Sequence, residues 1–309
     1  MIIGYRRVAG KLPLTDNEAG QRGTWLEKRT ALRKDLTARG HTFKWLSAPT
    51  AASSGLHSLS ADQDCDLLML EFGGTNLSFY GKDWEQTINI IQRHPGRIIF
   101  LCDDPDLPFL WNLLPHENWS RWTVAVNAVN LDNTRNKLGI PAQAQIVDLP
   151  FHGGMTPQPF TDGPIRQAIY YGRPNGRSRT LLPYLSSGVV TVAGRDKDWG
   201  NLAPTLVTPP EQKDRQAFYQ QYQACLAVYD QKHAITGWRT GRAYHALNAG
   251  IPVAAPVGNN ALNWAWPLNG THDLVTLLKA SPESRRINHK RQLAEAYADL
   301  TPIYESLNL

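Results

Sequence analysis

The segment Ile98-Ile99-Phe100-Leu101-Cys102-Asp103-Asp104-Pro105-Asp106-Leu107-Pro108-Phe109 constrains this chain more than any other. An unbroken apolar run meets a cluster of carboxylates. Such a run reads as a strand buried on both faces, the kind a parallel sheet contains. Pro105 has no N–H to donate, so the strand is expected to stop before it. The carboxylates then sit at the carboxyl end of a buried strand, where open α/β sheets bind ligands. From position alone, such a carboxylate can be a general base, a metal ligand or a loop cap.

The rest of the chain repeats this grammar. Strands are predicted over Met1–Arg6, Thr42–Leu46, Asp66–Phe72, Arg97–Asp103, Thr123–Val129 and Gln145–Leu149, and helices over Thr24–Arg39 and Trp84–Arg93. Thr24 and Glu27 form a capping pair for the first helix, and Gly40 follows its end. The stretch Phe151–Pro164 is rich in Gly and Pro and reads as a linker. The alternation then restarts. Strands are predicted over Ala168–Gly172, Val189–Gly194, Ala224–Asp230 and Pro252–Pro256, helices over Ser178–Leu185, Pro210–Gln223 and Thr240–Ala249, and a final helical region over Glu283–Leu309. Strands alternating with helices argue for parallel sheets. The expectation is an α/β protein of two Rossmann-like, doubly wound domains with a cleft between them. Residues 1–160 form the first, 161–285 the second, and 286–309 a C-terminal helix packing back on the first.

The chain has 309 residues, enough for two domains, and 42% apolar residues, enough for two cores. No apolar run approaches the roughly 20 residues that span a bilayer. Met1–Arg7 turns polar too soon for a signal peptide. Cys65, Cys102 and Cys225 adjoin apolar runs without metal-ligand spacing, so reduced core cysteines in a cytoplasmic monomer without a membrane partner are expected. A formal net charge of +5 weakly favours polyanionic partners. Six of the ten tryptophans fall in segments read as loops: Trp84, Trp111, Trp119, Trp199, Trp264 and Trp266. They either pack the core or stack on a base or sugar.

Three constellations carry chemistry. In Tyr170-Tyr171-Gly172-Arg173-Pro174-Asn175-Gly176-Arg177-Ser178-Arg179, a strand, a glycine-bearing turn and a helix start bring N–H groups and arginines together, as a phosphate cradle requires. The spacing matches neither a P-loop nor GxGxxG. In Thr236–Val253, Thr240 is a candidate cap, and Arg242 and His245 share a helix face three residues apart. Arg242 there can reach a diphosphate and His245 a ribose hydroxyl. Gly73–Trp84 follows a buried strand and is a glycine-rich loop with Phe79, Tyr80 and Lys82, suited to stacking on or wedging into DNA. Each has an ordinary alternative: a solvated basic loop, a surface pair, or a loop with its aromatics folded inward.

At these residues the chain resembles the DNA β-glucosyltransferases of T-even bacteriophages. The likeness spans most of the chain in order at low identity. Phe79-Tyr80-Gly81-Lys82 is similar to the family's Phe-Phe-Gly-Gly-Lys loop, and Cys102–Phe109 to its Phe-Thr-Asp-x-x-Leu-Pro-Phe motif. Ile169–Arg179 is similar to its Tyr-Gly-Gly…Arg nucleotide loop, and Ala224–Ala254 to the strand–loop–helix with an arginine and a glutamate. The resemblance implies the GT-B fold and transfer of glucose from UDP-glucose to the hydroxyl of 5-hydroxymethylcytosine in duplex DNA, with the base flipped out.

Residue by residue, it implies that Asp104 is the general base. Arg179 and Arg242 bind the diphosphate, with Gly172, Arg173 and Arg177 in the same cradle. The sequence departs at Asn175, where the family has an arginine, and at His245, where it has a ribose-binding glutamate. The family's N-terminal acidic residue has no clean counterpart; Glu27 is out of register. Phe79, Tyr80 and Lys82 would meet DNA. Asp103 and Asp106 stand as secondary candidates for a divalent ion, Mg2+ or Mn2+. Direct displacement inverts the anomeric centre, and the acceptor base must leave the stack at a cost of about a few kcal/mol. The donor can be another nucleotide sugar, and the acceptor hydroxymethyluracil. Two other readings stay open: a GT-B glycosyltransferase with a glycan, lipid or protein acceptor, and a non-catalytic nucleic-acid-binding relative.

Overall fold

The computed structural model describes residues 1–7, 32–46, 64–72, 91–102, 116–150, 156–258, 260–297 and 300–309. The described residues divide into two compact units: residues 1–150 with 300–309, and residues 156–297.

The first unit holds strands β1 (Ile2–Arg7), β2 (Thr42–Leu46), β3 (Leu67–Phe72), β4 (Arg97–Cys102), β5 (Trp122–Val126) and β6 (Gln145–Asp148). They form one sheet in the order β2-β1-β3-β4-β5-β6, and every pair is parallel. Ile98 to Cys102 are all buried, as a strand covered on both faces requires. Burial of each such side chain contributes about 1.5–3 kcal/mol. Ile3, Tyr5, Leu67, Met69, Ile99, Leu101 and Ala125 share a face and pack against Leu32, Leu36, Tyr304 and Leu307. The period of two along each strand sets that face. Among the described residues, two helical segments therefore cover it, residues 32–38 and α9 (Thr301–Ser306). Arg39 joins them, lying over the Tyr304 ring at 4.5 Å and donating to Thr301 Oγ1 at 2.9 Å. On the opposite face, Trp122 meets Phe100 and Trp119 edge to face at 5.5 and 4.9 Å. Helix α1 (Leu131–Leu138) is capped by Asn130, which accepts from Asn133 N at 3.0 Å, and ends on Gly139 at φ 65°.

The second unit holds β7 (Ile165–Tyr171), β8 (Val190–Ala193), β9 (Leu206–Val207), β10 (Tyr222–Leu226), β11 (Val253–Pro256) and β12 (Trp266–Leu268). Their order is β12-β11-β10-β7-β8-β9, again all parallel. Its helices are α2 (Ser178–Ser186), α3 (Asp196–Trp199), α4 (Arg215–Tyr219), α5 (Gln231–Thr236), α6 (Gly241–Asn248), α7 (Thr271–Lys279) and α8 (Pro282–Ala296). One face of the sheet packs Ile169, Cys225 and Val253 against Ala243, Ala246 and Leu247 of α6. The other packs Ala168, Val192 and Leu226 against Leu181 and Leu185 of α2 and Leu274 and Leu277 of α7. Helices on both faces make it doubly wound. Gln292 of α8 fastens β11. Its Nε2 donates to Val253 O at 2.7 Å, and its Oε1 accepts from Val253 N at 2.9 Å.

Several expectations change. The helix expected over Pro210–Gln223 shrinks to a 3-10 turn at Gln212–Asp214 and α4, because Tyr222 and Gln223 are claimed by β10 beside β7. Tertiary pairing outweighs local preference there. The helical region at Glu283–Leu309 breaks at Tyr297, and α9 starts afresh at Thr301. Residues 286–296 stay with the second unit, and 300–309 join the first. Trp119, Trp199 and Trp264 are not stacking residues on open loops; all are buried to 3% exposure or less. The three cysteines are free and buried, as expected. Among the described residues, no helix is long and apolar enough to cross a membrane.

Candidate functional site

The order of the second sheet reverses between β7 and β10: β8 and β9 extend to one side, β11 and β12 to the other. Loops leaving such a switch point diverge to opposite faces and open a crevice at the strands' carboxyl ends. The loop after β7 carries Gly172 to Arg177, and the loops after β10 carry Tyr229, Asp230 and Thr240. A pocket forms there, with Tyr170, Tyr171, Arg177, Tyr229, Thr240 and Arg242 among its lining.

Two helices aim their amino termini at this crevice. Arg177 occupies the N-cap of α2 and Thr240 that of α6. Neither side chain caps its helix; in α2 Thr180 N already donates to Arg177 O at 3.0 Å, which leaves the N–H groups of Ser178 and Arg179, and those of the first turn of α6, to an anion. For Thr240 this corrects the expected side-chain cap; its backbone N instead donates to Tyr229 Oη at 3.2 Å. Arg242, in the first turn of α6, donates to Tyr171 O at 3.3 Å and lies 5.9 Å from the Tyr171 ring centre. Gly172 makes room for it: a Cβ there would stand 2.5 Å from Arg242 Nη1. The carbonyl of Gly172 accepts from Trp199 Nε1 at 2.9 Å, which fixes the turn from below.

Arg177 is held by a partner the sequence reading passed over. Its Nη2 donates to Asp230 Oδ2 at 2.9 Å, with side chains only 12% and 20% exposed. The other oxygen, Oδ1, accepts from His233 N at 3.0 Å and from His233 Nδ1 at 2.6 Å, capping α5. Burial opposes ionisation of Asp230. The hydrogen bonds from His233 and the charge of Arg177 outweigh it and hold the carboxyl well below the usual carboxylate range. The signal was legible: an aspartate closing a strand, with its capping target three residues on. Burial also lifts the Tyr170 and Tyr229 phenols, and pushes the Cys225 thiol up to about 12.

The structure therefore brings Gly172, Arg177 and Arg242 together at one crevice. The other expected members stand apart. Arg173 is 58% exposed and pairs with Asp198 at 3.6 Å. Arg179 is exposed and is not part of the pocket lining. His245 does not share an open face with Arg242. It is 1% exposed, and its Nδ1 accepts from Arg215 Nη1 at 3.0 Å. The short α6 is buried from Ala243 to Asn248, so only Arg242 reaches outward.

In the first unit, β4 ends at Cys102. Asp103, Asp104 and Asp106, expected next, lie outside the described residues, as do Phe79, Tyr80 and Lys82. Among the described residues, no group of three or more His, Cys, Asp or Glu side chains is placed to hold a metal ion.

No protein-family model and no curated protein matches the chain. Solved structures do match. The DNA-modifying enzyme beta-glucosyltransferase, solved with and without uridine diphosphoglucose, matches with a TM-score of 0.70 at 15% identity, over 96% of this chain and 95% of that one. T4 phage BGT with UDP and Mn2+ matches at 0.69 and 15%, over 100% of both chains. An alpha-glucosyltransferase with UDP and a 13-mer DNA containing an HMU base matches at 0.60 and 11%, over 99% of this chain and 97% of that one. With its two parallel six-stranded sheets carried by two units, the chain has the α/β GT-B fold of these glycosyltransferases.

Proposed function

We propose that the chain is a DNA glycosyltransferase that moves glucose from UDP-glucose to the hydroxymethyl group of a 5-hydroxymethylpyrimidine in duplex DNA, 5-hydroxymethylcytosine first. One observation carries this reading: Arg177 and Arg242, from two helix starts, line one pocket at the switch point of the second sheet. Two cations and two sets of helix N–H groups suit a diphosphate, and a leaving diphosphate gains charge as the glycosidic bond breaks. Tyr171 and Tyr229 wall the same pocket and offer surfaces to a nucleoside. The solved neighbours that bind UDP-glucose, UDP or DNA share the fold over nearly the whole chain.

In this reading Asp104 takes the proton from the acceptor hydroxyl as it attacks the anomeric carbon, inverting it. The acceptor base leaves the stack to present that hydroxyl, and Phe79, Tyr80 and Lys82 serve the DNA side. Asp103 and Asp106 remain the candidates for holding a divalent ion, which would supply positive charge to a leaving diphosphate.

Transfer of labelled glucose from UDP-glucose to hydroxymethylated and to plain duplex DNA tests it. Label is expected on the hydroxymethylated duplex alone. Asp104→Ala is expected to abolish transfer while UDP still binds; Arg242→Ala is expected to weaken both. Normal turnover by Asp104→Ala removes the assigned base, and failure of every hydroxymethylated duplex removes the acceptor class.

A further inference from the structure

The second unit carries a hollow of about 520 Å3 at the opposite end of its sheet. Arg166 is the second residue of β7, Val189 precedes β8, and Gln223 is the second residue of β10, so the hollow lies at the strands' amino ends. At about 3.3 Å per residue, it is roughly 15–20 Å along β7 from the Gly172 turn. The segment joining α7 to α8, Lys279 to Pro282, forms another wall.

Its charge is one-sided. Arg285, 3% exposed, donates to Leu278 O at 3.0 Å and to Ala280 O, and pairs with Asp162 Oδ1 at 2.6 Å. That arginine is balanced. Arg166 and Lys279 are exposed at the rim and have no ion-pair partner among the described residues. The N-terminus of the fifteen-residue α8 adds partial positive charge. Glu283, in its first turn, is engaged by Arg286 at 2.6 Å and is not part of the lining.

The hollow also holds a buried polar group with nothing to bond. Gln223 is 6% exposed, and its Oε1 has no hydrogen-bond partner among the described residues. An unsatisfied buried acceptor costs about 1–3 kcal/mol, so a turn of the amide that brings this oxygen to a hydroxyl in the hollow is favoured. The amide can turn to offer either its oxygen or its nitrogen. The apolar wall is aliphatic, Val189, Val275 and Leu278, with no ring on which a base could stack.

From this geometry we propose that the hollow is a binding site for a small sugar phosphate, separate from the nucleotide crevice. The phosphate sits between Arg166 and Lys279 near the α8 start. Gln223 hydrogen-bonds a sugar hydroxyl, and the valines and Leu278 meet the carbon face of the ring.

Calorimetric titration with glucose 6-phosphate, inorganic phosphate and glucose tests it. Glucose 6-phosphate is expected to bind in the micromolar-to-millimolar range, tighter than inorganic phosphate, and glucose is expected not to register. Arg166→Glu with Lys279→Glu, both at exposed positions, is expected to lose this binding with thermal stability unchanged. Gln223→Leu is expected to lower glucose 6-phosphate affinity to that of inorganic phosphate, and Arg242→Ala to leave it unaltered. The proposal is overturned by absence of glucose 6-phosphate binding, by equal affinity for the two anions in the unaltered protein, or by binding that survives the double charge reversal. Loss of binding in Arg242→Ala would likewise overturn it, by assigning the anion to the nucleotide crevice.

Discussion

Asp230→Asn separates the two tasks of the aspartate beneath the crevice at the switch point of the second sheet. The carboxylate accepts on both oxygens: Arg177 on Oδ2, and His233 twice on Oδ1. Asparagine keeps one oxygen and replaces the other with a donor. If the oxygen stays on His233, the α5 cap survives, since Asn caps about as well as Asp. Arg177 then faces an N–H instead of an acceptor. The loss is one charge-assisted hydrogen bond at a mostly buried pair, about 1.5–3 kcal/mol. Asp230→Ala also loses the cap, about 1 kcal/mol more.

The pH dependence follows from the sign of the shift. The folded carboxyl titrates below its unfolded value, so the unfolded chain takes up the proton first. Its contribution is whole above about pH 4, near the ordinary Asp value, and fades as pH falls toward the folded value. Urea denaturation from neutral pH down to about pH 3, with hydrogen exchange over residues 222–236 to locate the change, measures it. Wild type should lose stability faster than Asp230→Asn in that window, by at most about 1.4 kcal/mol per pH unit. A constant gap between the two proteins across the window would refute the Arg177–Asp230 account.

Three further outcomes are expected. Gly172→Ala pushes on the flexible end of Arg242 rather than on backbone, so UDP affinity should fall about tenfold, or about 1.4 kcal/mol, in a calorimetric titration, with little change in melting temperature. Gln292→Leu strands the N–H and C=O of Val253 inside the protein and should cost at least about 2 kcal/mol in urea denaturation. The native protein should show no fast-reacting thiol toward a disulfide reagent at mildly alkaline pH, because all three cysteines are buried and the Cys225 thiol is pushed up to about 12; unfolding should release them together.

The strands were legible wherever burial on both faces left a continuous apolar run. Arg97–Cys102 and Val253–Pro256 fall within a residue of the predicted limits. Helix α1 was missed although Asn130 and Gly139 mark its ends, because its polar residues leave little apolar periodicity. Helix α7 went unread although its apolar residues recur at Leu274, Leu277 and Leu278. At the site, Arg177 was findable because it lies just beyond a strand and a glycine-bearing turn, and Arg242 because it follows a glycine at a helix start. The fate of His245 was not. Whether a helical residue faces a ligand or the core depends on which face the sheet takes, and Arg215 comes from a distant helix. Spacing of three along a helix fixes neighbours, not direction.

The face of the first sheet built on Ile3 and Tyr5 is completed by Tyr304 and Leu307. The second unit, by contrast, is a single run of chain from residue 156 to 297 among the described residues. On the ribosome the order of completion is therefore inverted. The unit begun first must wait, with one apolar face covered only in part by residues 32–38, until the unit begun second has been synthesised. Bringing residues 3 and 307 into one cluster closes a loop of nearly the whole chain, at a corresponding entropic cost. Truncating α9 should thus harm the amino-terminal sheet during synthesis more than its few contacts in the finished protein suggest, through aggregation of the exposed Ile3–Tyr5 face.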